Sequence, residues 1–246
     1  MNLVRHIAAL LFIVALPVAL LTTNIRIAAS EPRLYEYAID HYGAVETTGI
    51  ERPELLRASG ELRDYFKRDG GDPVFIRVEQ DGEPVSLFSQ RETRHLQDVK
   101  TAFQYTFRVQ EASVLFVLAY VVIVFIWAQE GSLRSLATQL GIAALAGGVA
   151  IVGVGAVALA GFDQFWERFH GVLFTNDFWQ LDPARDHLIQ MFPEAFWQDV
   201  SLWIGLATLA ELGVLGAIGV LYLGVTRRSA VSYALPRGVQ ESRSRV

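Results

Sequence analysis

The sequence predicts a mainly α-helical membrane protein with four transmembrane helices, a small α+β extracytoplasmic domain and a helical interfacial loop on the outer face. Hydrophobic residues make up 52% of the 246 positions and charged residues only 19%, which is too apolar for a soluble domain of this size. A helix needs about 20 apolar residues to cross a bilayer. Windows at residues 3–23, 113–128, 136–160 and 201–225 approach that length, and each predicts one membrane crossing.

The distribution of Lys and Arg predicts which segments face the cytoplasm. The amino terminus, the joint between the second and third spans and the carboxy-terminal tail together hold seven basic residues against two acidic ones. Under the positive-inside rule these three segments are cytoplasmic. The two remaining loops, 24–111 and 162–199, carry 14 basic and 23 acidic residues. An acidic outer face argues against nucleic acid as a partner.

These spans and loops divide the chain into six segments of a multi-pass cell-membrane protein. They are a first transmembrane helix (1–24), an extracytoplasmic α+β domain leading into the second helix (25–111), transmembrane helices two and three (112–161), an outer interfacial loop (162–200), a fourth transmembrane helix (201–226) and a basic cytoplasmic tail (227–246). A cleaved signal peptide is an alternative for the first helix, because the small residues Ala28, Ala29 and Ser30 follow its apolar run. Both alternatives leave the two large loops outside.

Some residues inside the spans are expected to serve helix packing. Gly147, Gly148, Gly153 and Gly155 would let a neighbouring helix approach the third span closely. Glu211 places an acid inside the fourth span, where a charge is costly, and a structural or protonated role is expected for it.

The first outer loop is long enough for a small domain, and the absence of cysteine means that packing alone must stabilise it. Residues 31–41 are expected to form a helix beginning near Pro32, and residues 53–67 an amphipathic helix. Residues 74–79 and 83–88 flank Asp81-Gly82, which is typical of a β-hairpin turn. So small a domain is expected to lean on the membrane helices and the second outer loop.

A long helix is predicted to connect this domain with the second span. Ser89 and Glu92 match a capping box, in which the two side chains satisfy backbone donors at a helix start. The helix should therefore run from about Gln90 into the membrane. His95 lies on its apolar side, a few turns before the second span.

The second outer loop supplies a companion for His95. Asp163 is expected to cap a short helix on which Trp166 and His170 lie one turn apart. Asp182-Pro183 is expected to start a second helix that continues through Met191. Because both ends of this short loop are anchored, its helices must fold back and bring His170 close to His95.

At these residues the chain resembles a known family. The segment RETRHLQDVK, followed by FWERFHGVLFTNDFWQLDPARDHLIQMFPEAFWQD, is similar to the bacterial lipoprotein intramolecular transacylases, and the resemblance covers nearly the whole chain. It implies a membrane acyltransferase that moves the sn-2 acyl chain of a diacylglyceryl lipoprotein to its N-terminal Cys amino group, giving a lyso-form lipoprotein. It also implies membrane lipid and diacylglyceryl lipoproteins as partners, no cofactor and no obligate protein partner.

The resemblance implies a role for each motif residue. His95 is expected to act as general base toward the ammonium group and His170 as donor to the oxyanion or partner in a proton relay, although the reverse assignment stays open. Asp98 orients His95 only if its carboxylate bends round the helix. The residues expected to bind substrate or support the site are Asp98, Asn176, Trp179, Asp182, Asp186 and Glu194. Helix capping alone also explains Asp182.

Two other classes of protein remain alternatives. One is a metal-dependent membrane hydrolase that uses outer carboxylates and a set of histidines, namely His41, His95, His170 and His187, although no His-Glu-x-x-His spacing occurs and no metal site is predicted. The other is a non-catalytic membrane sensor or assembly protein, in which the two central histidines should tolerate Gln or Asn.

An acyltransferase without cysteine or a Gly-x-Ser-x-Gly motif is expected to work without an acyl-enzyme.

Overall fold

The computed structural model describes residues 2–80, 82–126 and 130–234, which form nine helices and one two-stranded antiparallel sheet. In chain order the elements are α1 (Asn2–Ser30), α2 (Pro32–His41), α3 (Ala44–Thr48), α4 (Arg52–Lys67), β1 (Arg77–Gln80), β2 (Glu83–Ser86), α5 (Gln90–Ile126), α6 (Glu130–Ala160), α7 (Phe162–Leu173), α8 (His187–Met191) and α9 (Glu194–Ala234). Asp81, the predicted end of the second span at Ala128 and the tail from residue 235 onward lie outside the described residues.

Four of the described helices are long and apolar enough to cross a membrane: Leu3–Ser30 of α1, Gln90–Ile126 of α5, Ser132–Ala160 of α6 and Glu194–Arg227 of α9. The chain is therefore a mainly α-helical, multi-pass membrane protein, as the sequence predicts. Helix α5 carries charged side chains as far as Glu111, whereas residues 112–126 carry none. The part of α5 that holds His95 thus precedes the uncharged segment of this helix.

The described parts of Met1–Val18, Ser113–Ala150 and Leu209–Val246 form one compact unit of apolar helices. Phe12 of α1 stacks on Tyr120 of α5 with ring centroids 4.7 Å apart, and the Tyr120 hydroxyl donates to Oε1 of Gln139 at 2.9 Å. A Cβ at Gly147 would lie 2.7 Å from the Pro17 ring, so glycine permits the close approach of α1 and α6.

The predicted roles of the other α6 glycines are only partly confirmed. A Cβ at Gly148 would make an ordinary contact of 3.9 Å with Leu209, but Cβ atoms at Gly153 and Gly155 would meet no heavy atom within 4 Å among the described residues. The prediction of close packing at Gly153 and Gly155 is wrong, because no other described residue approaches these two positions closely. Glu211 is half-buried in α9.

The second unit, built from Ala19–Ala112 and Ile151–Thr208, contains the α+β domain. Its core includes Ile39 of α2, Leu55 and Leu62 of α4, Val78 of β1 and Leu96 of α5, all at most 2% exposed. Strands β1 and β2 pair from Arg77↔Ser86 to Gln80↔Glu83. The predicted helices and hairpin are therefore confirmed. The capping box is also formed, with Ser89 N–H donating to Glu92 and Glu92 N–H to Ser89 Oγ.

Residues from the second predicted loop complete this core. Met191, Phe192, Phe196 and Val200 are buried in the same hydrophobic cluster as the first domain. Near the start of α9, Asp199 accepts hydrogen bonds from the hydroxyl groups of two tyrosines, Tyr37 at 2.8 Å and Tyr42 at 2.6 Å. Residues from both predicted outer loops thus form one folded body. This agrees with the expectation that so small a first domain leans on the second outer loop.

Two predicted helix starts in this unit are wrong. Helix α7 begins after Gly161 without a side-chain cap, and Asp163 lies within its first turn. Asp182 does not begin a helix: it closes a turn by accepting Ala184 N–H at 2.9 Å, and α8 starts only after Asp186. The Asp186 carboxylate accepts Asp182 N–H at 2.6 Å, which stabilises the turn in place of a helix.

Candidate active site

His95 lies on the buried face of α5, with 6% of its surface exposed. Its neighbour Leu96 anchors this part of α5 in the core. Nδ1 of His95 is buried and has no hydrogen-bond partner among the described residues. An unsatisfied polar atom costs free energy in an apolar environment, so this atom is a candidate for a functional contact.

His170 approaches from α7, where it is 7% exposed. Its Nδ1 lies 2.8 Å from the carbonyl oxygen of Trp166, one helical turn earlier, as the predicted spacing requires. The edge of the imidazole meets the Trp166 ring at 4.5 Å, and the Trp179 ring lies 5.0 Å from it. Aromatic groups and one backbone carbonyl therefore fix the orientation of this histidine.

The two imidazole rings lie 6.0 Å apart, centroid to centroid, at an angle of 39°. The fold thus brings His95 and His170 together as the sequence predicts. Phe174 contacts both rings, at 5.2 Å from His95 and 5.7 Å from His170. No hydrogen bond joins the two histidines in the described structure, and Nδ1 of His170 is bonded to the Trp166 carbonyl oxygen.

Burial determines the protonation of this pair. It is the main cause that lowers the pKa of His95 to about 4, and the neighbouring His170 lowers it further. Burial also lowers the pKa of His170, while its hydrogen bond to the Trp166 carbonyl acts in the opposite direction. Both imidazoles are therefore neutral at neutral pH, and each carries one N–H and one lone pair.

The segment from Phe174 to Trp179, called here the 174–179 segment, contacts both histidines and one side of α5. Three contacts attach it to that helix: Asn176 Nδ2 donates to Asp98 Oδ2 at 3.0 Å, Arg91 donates to the Asp177 carbonyl oxygen at 2.6 Å, and the Arg94 guanidinium lies 5.3 Å from the Phe178 ring centroid. Its end residues, Phe174 and Trp179, touch the imidazoles. The position of the 174–179 segment beside the histidines therefore depends on its contacts with α5.

Asp98 and Asn176, both predicted to bind substrate or support the site, are paired with each other. The Asp98 carboxylate accepts a hydrogen bond from Asn176, and among the described residues it makes no hydrogen bond to His95. Asn176 Oδ1 in turn accepts Phe178 N–H at 3.1 Å, which shapes the 174–179 segment. The two residues are joined to each other rather than to a histidine, so they support the site through backbone position.

Three further predicted site residues do not contact the histidines. Within the described chain, no hydrogen bond or ion pair links Asp182, Asp186 or Glu194 to His95 or His170. Asp182 and Asp186 close the turn before α8, and Arg185 adds an exposed ion pair to Asp182 at 2.7 Å. Glu194 is half-buried in the first turn of α9. These residues shape the backbone around the site.

Sequence reasoning gave Glu92 only a capping role, whereas the structure gives it a second one. Its carboxylate is 2% exposed, and Oε1 accepts Leu188 N–H at 2.7 Å while Oε2 accepts Ser89 N–H at 2.7 Å. Beside it, His187 Nδ1 donates to the Leu87 carbonyl oxygen at 2.7 Å. A capping box uses one carboxylate oxygen, and the spare oxygen was the available signal that Glu92 also binds another element.

Phe174, Arg91 and Arg94 were not predicted as part of the site. Their contacts bridge residues far apart in the sequence, and neither helical periodicity nor a local motif reveals them. The remaining pair of histidines in the metal alternative is dispersed: His41 stacks on Tyr37 at 4.8 Å, and His187 lies beside Leu87. Among the described residues, no three His, Asp or Glu side chains are grouped so that they could hold a metal ion.

The fold and this site define a multi-pass membrane protein with two buried, neutral histidines facing each other. Residues 10–197 match the model of the family described as lipoprotein intramolecular transacylase Lit. Since the match covers most of the chain, this protein belongs to that family, and it is a transacylase. The resemblance stated from the sequence is thereby confirmed. No curated protein sequence matches the chain.

Solved structures of one relative share the fold. The membrane-integral lipoprotein intramolecular transacylase Lit from Bacillus cereus matches with a TM-score of 0.72 and 19% sequence identity, over 93% of this chain and 100% of that chain. Two variants of that enzyme with one histidine substituted also match, each with a TM-score of 0.73 and 17% identity. The arginine variant covers 93% of this chain and 96% of its own, and the alanine variant 92% and 97%.

Proposed function

We propose that this protein moves the sn-2 acyl chain of a diacylglyceryl lipoprotein to the amino group of the lipoprotein's N-terminal Cys, which yields a lyso-form lipoprotein. Family membership gives the class of reaction. The observation that carries the chemistry is the pair of buried histidines, with rings 6.0 Å apart and no hydrogen bond between them among the described residues. A pair of this kind can serve a proton transfer and a developing negative charge at the same reacting centre.

His170 is the proposed general base. Because a carbonyl oxygen only accepts hydrogen bonds, the contact of Nδ1 with Trp166 assigns the hydrogen to Nδ1 and the lone pair to Nε2. That lone pair is suited to take a proton from the attacking amine. The hydrogen bond to the carbonyl stabilises the protonated ring and partly offsets the lowering of its pKa by burial. These observations favour the reverse of the first assignment that the sequence suggests.

His95 is the proposed donor to the oxyanion. Its pKa of about 4 keeps the ring neutral, so it is a poor proton acceptor at neutral pH. A neutral imidazole still carries one N–H, which can bond to the ester carbonyl oxygen as that oxygen becomes negative. Nδ1 is buried without a partner among the described residues, which supports a substrate contact at this atom. In the proposed mechanism the two histidines therefore have distinct roles.

The proposed reaction conserves atoms and protons. The neutral Cys amine attacks the carbonyl carbon of the sn-2 ester, a C–N bond forms, and Nε2 of His170 takes the amine proton. The tetrahedral oxyanion is stabilised by the N–H of His95. The C–O bond to the glyceryl group then breaks, and His170 returns the proton to the departing oxygen. The products are an amide and a free sn-2 hydroxyl group on the same molecule.

Positioning supplies much of the proposed rate enhancement. Donor and acceptor belong to one substrate molecule, so the enzyme needs only to hold them in a reactive geometry. Phe174, Trp166 and Trp179 surround the imidazoles with apolar rings, which exclude water that would otherwise hydrolyse the ester. The chain has no cysteine nucleophile, and the mechanism requires no acyl-enzyme.

We also propose that the site faces the outside of the cell membrane. Both termini would be cytoplasmic, and segments 25–111 and 162–200 would lie on the outer side, since the remaining hydrophilic segments carry seven basic residues against two acidic ones. The six segment boundaries predicted from the sequence are kept as part of this proposal. His95 precedes the uncharged segment 112–126 of α5, a location that suits a substrate anchored in the outer leaflet.

Mass spectrometry of a lipoprotein's N-terminal peptide tests the reaction. The host should lack its own N-acylating enzymes, and the peptide should be compared with and without this protein. The expected product is an amino-acylated Cys with a monoacylglyceryl group, at unchanged total mass and identified by fragmentation. An unaltered diacylglyceryl Cys, in the presence of correctly inserted protein, would contradict the proposed reaction.

Substitution of the histidines tests the mechanism in the same assay. His95→Ala and His170→Ala should each lower turnover by about 10²-fold or more. His41→Gln is the matched control, because His41 stacks on Tyr37 away from the pair, and turnover should be retained. Near-normal turnover in either alanine variant would remove that histidine from the mechanism and favour a non-catalytic or differently arranged site.

A further inference from the structure

An open cavity of about 310 Å³ lies at the start of α5. It is lined by five residues, and we call it the arginine pocket: Gln90, Arg91, Arg94, Asp177 and Phe178. Arg94 immediately precedes His95. Arg91 lies about one helical turn before His95, which is about 6 Å along the helix axis. The cavity is thus on the side of the site that leads away from the uncharged segment of α5.

The pocket holds two guanidinium groups without an ion pair. Arg91 donates one N–H to the Asp177 carbonyl oxygen, and Arg94 lies over the Phe178 ring. Neither forms a salt bridge within the described residues, although Asp177 also lines the cavity. Each guanidinium has five N–H donors in a planar fork, so most of these donors remain available to a ligand.

We propose that the arginine pocket binds an acidic side chain in the first few residues after the lipidated Cys of the substrate. This inference rests on the proposed function, which places the Cys amine at the histidine pair. From that point the polypeptide must continue away from the acyl chains, and each extended residue spans about 3.3–3.6 Å. Two residues therefore bridge the distance along α5 from His95 to Arg91.

The chemistry of the substrate favours a carboxylate over other anions. The diacylglyceryl group offers esters and hydrocarbon but no negative charge, so an anionic partner within the same molecule must come from its polypeptide. Arg binds carboxylates through two parallel hydrogen bonds, and its stacking on Phe178 leaves the edge of the guanidinium free for them. Because the pocket is open to solvent, we expect a preference of about two- to fivefold.

The test compares two synthetic diacylglyceryl-Cys peptides that differ only in Asp or Asn at the second and third positions. The full-length protein is studied in vesicles of zwitterionic lipid, so that no anionic headgroup competes. Wild type should have a KM about two- to fivefold lower for the Asp peptide. In Arg94→Gln the ratio of the two KM values should approach one. A mere displacement of the 174–179 segment would instead affect both peptides equally and leave the ratio unchanged.

Matched variants separate charge recognition from structural damage. Arg94→Lys keeps the charge but loses the planar fork, so it should retain part of the preference for Asp. Arg33→Gln removes an exposed arginine from α2 and should leave the ratio of KM values unchanged. Melting temperatures of all variants identify any that fold poorly. If Arg94→Gln folds poorly, Arg94→Lys is compared with wild type instead.

A binding measurement separates this proposal from the proposed function. Ether-linked analogues of the two peptides cannot transfer an acyl chain, and their dissociation constants should show the same preference for Asp. If there is no turnover but wild type binds the Asp analogue more tightly and Arg94→Gln abolishes this preference, the proposed reaction is wrong and the proposed pocket is supported. Equal binding of both analogues by wild type would overturn the pocket. The binding measurement is repeated in vesicles that contain anionic lipid. If Arg94→Gln weakens binding of both peptides equally, and only in these vesicles, the pocket binds a lipid headgroup and the proposal is overturned.

Discussion

The Nδ1 atom of His170 lies 2.8 Å from the carbonyl oxygen of Trp166. The Trp166 ring is itself stacked on Trp197 of α9, with centroids 5.5 Å apart. The histidine proposed as base is therefore held by a residue that a second helix holds in turn. Because a backbone carbonyl has no tautomers, this single contact determines which imidazole nitrogen is free to accept a proton.

We predict that His170 is the Nδ1–H tautomer in the resting protein. Heteronuclear NMR of ¹⁵N-histidine-labelled protein should show a protonated Nδ1 and an unprotonated Nε2 for this residue at neutral pH. Comparison with His170→Gln assigns the signal, and His187, whose Nδ1 donates to Leu87, serves as an internal reference for the same tautomer. A protonated Nε2 at His170 would be incompatible with the proposed base.

We predict that protonation of His95 destabilises the protein. Its folded-state pKa is lowered to about 4, mainly by burial, whereas the unfolded value is about 6.5. Between these values the unfolded chain binds a proton that the folded protein excludes, so stability falls as pH decreases from about 6.5 to 4. His95→Phe removes this titration and should lose about 1–2 kcal/mol less stability between pH 7 and pH 5 than wild type.

Thermal unfolding in detergent at the two pH values provides the measurement. His170 has a pKa shift in the same direction and is present in both proteins, so the comparison isolates the contribution of His95. His41→Phe is a control at a site with no such burial. An equal pH effect in wild type and His95→Phe would mean that His95 is not held neutral by its surroundings.

We predict that Glu92 stabilises the junction between α5 and α8. Glu92→Gln places an amide group against a backbone N–H donor, either that of Ser89 or that of Leu188. A buried donor without an acceptor costs about 1–3 kcal/mol, which should lower the melting temperature by several degrees. Glu83→Gln changes an exposed glutamate of β2 in the same way and should have little effect. Similar melting temperatures for the two variants would contradict this role.

Local chemistry explains why much of this structure follows from the sequence. The Ser89–Glu92 capping box and the spacing of Trp166 and His170 depend on residues within one turn, so both were predicted correctly. The proximity of His95 and His170 followed from chain connectivity, because a short loop anchored at both ends must fold back. Apolar run length likewise predicted the four membrane helices.

The errors arise where a side chain has several possible partners. Asp182 precedes a proline and resembles a helix cap, but the carboxylate of Asp186 takes its N–H and forms a turn instead. Asp98 is close to His95 in sequence, yet its partner is Asn176, which lies far along the chain. Such choices depend on tertiary packing, which neither periodicity nor capping rules describe.

The pairing of Asp98 with Asn176 gives the last prediction. Their hydrogen bond, 3.0 Å long, attaches the 174–179 segment to α5, and Phe174 of that segment touches both imidazoles. Asp98→Ala and Asn176→Ala should each lower turnover through displacement of this segment. Since both break the same contact, the double variant should lose little more than either single variant, with a coupling free energy of about 1 kcal/mol or more.

Turnover measured for the four proteins of this cycle provides the coupling energy, and the NMR signals of His95 provide an independent check. Asp98→Ala should leave the tautomer of His95 unchanged, because the carboxylate bonds to Asn176 and, in the described structure, not to the imidazole. Additive losses in turnover would show that the two residues act separately. A change of the His95 tautomer in Asp98→Ala alone would instead support direct orientation of His95 by Asp98.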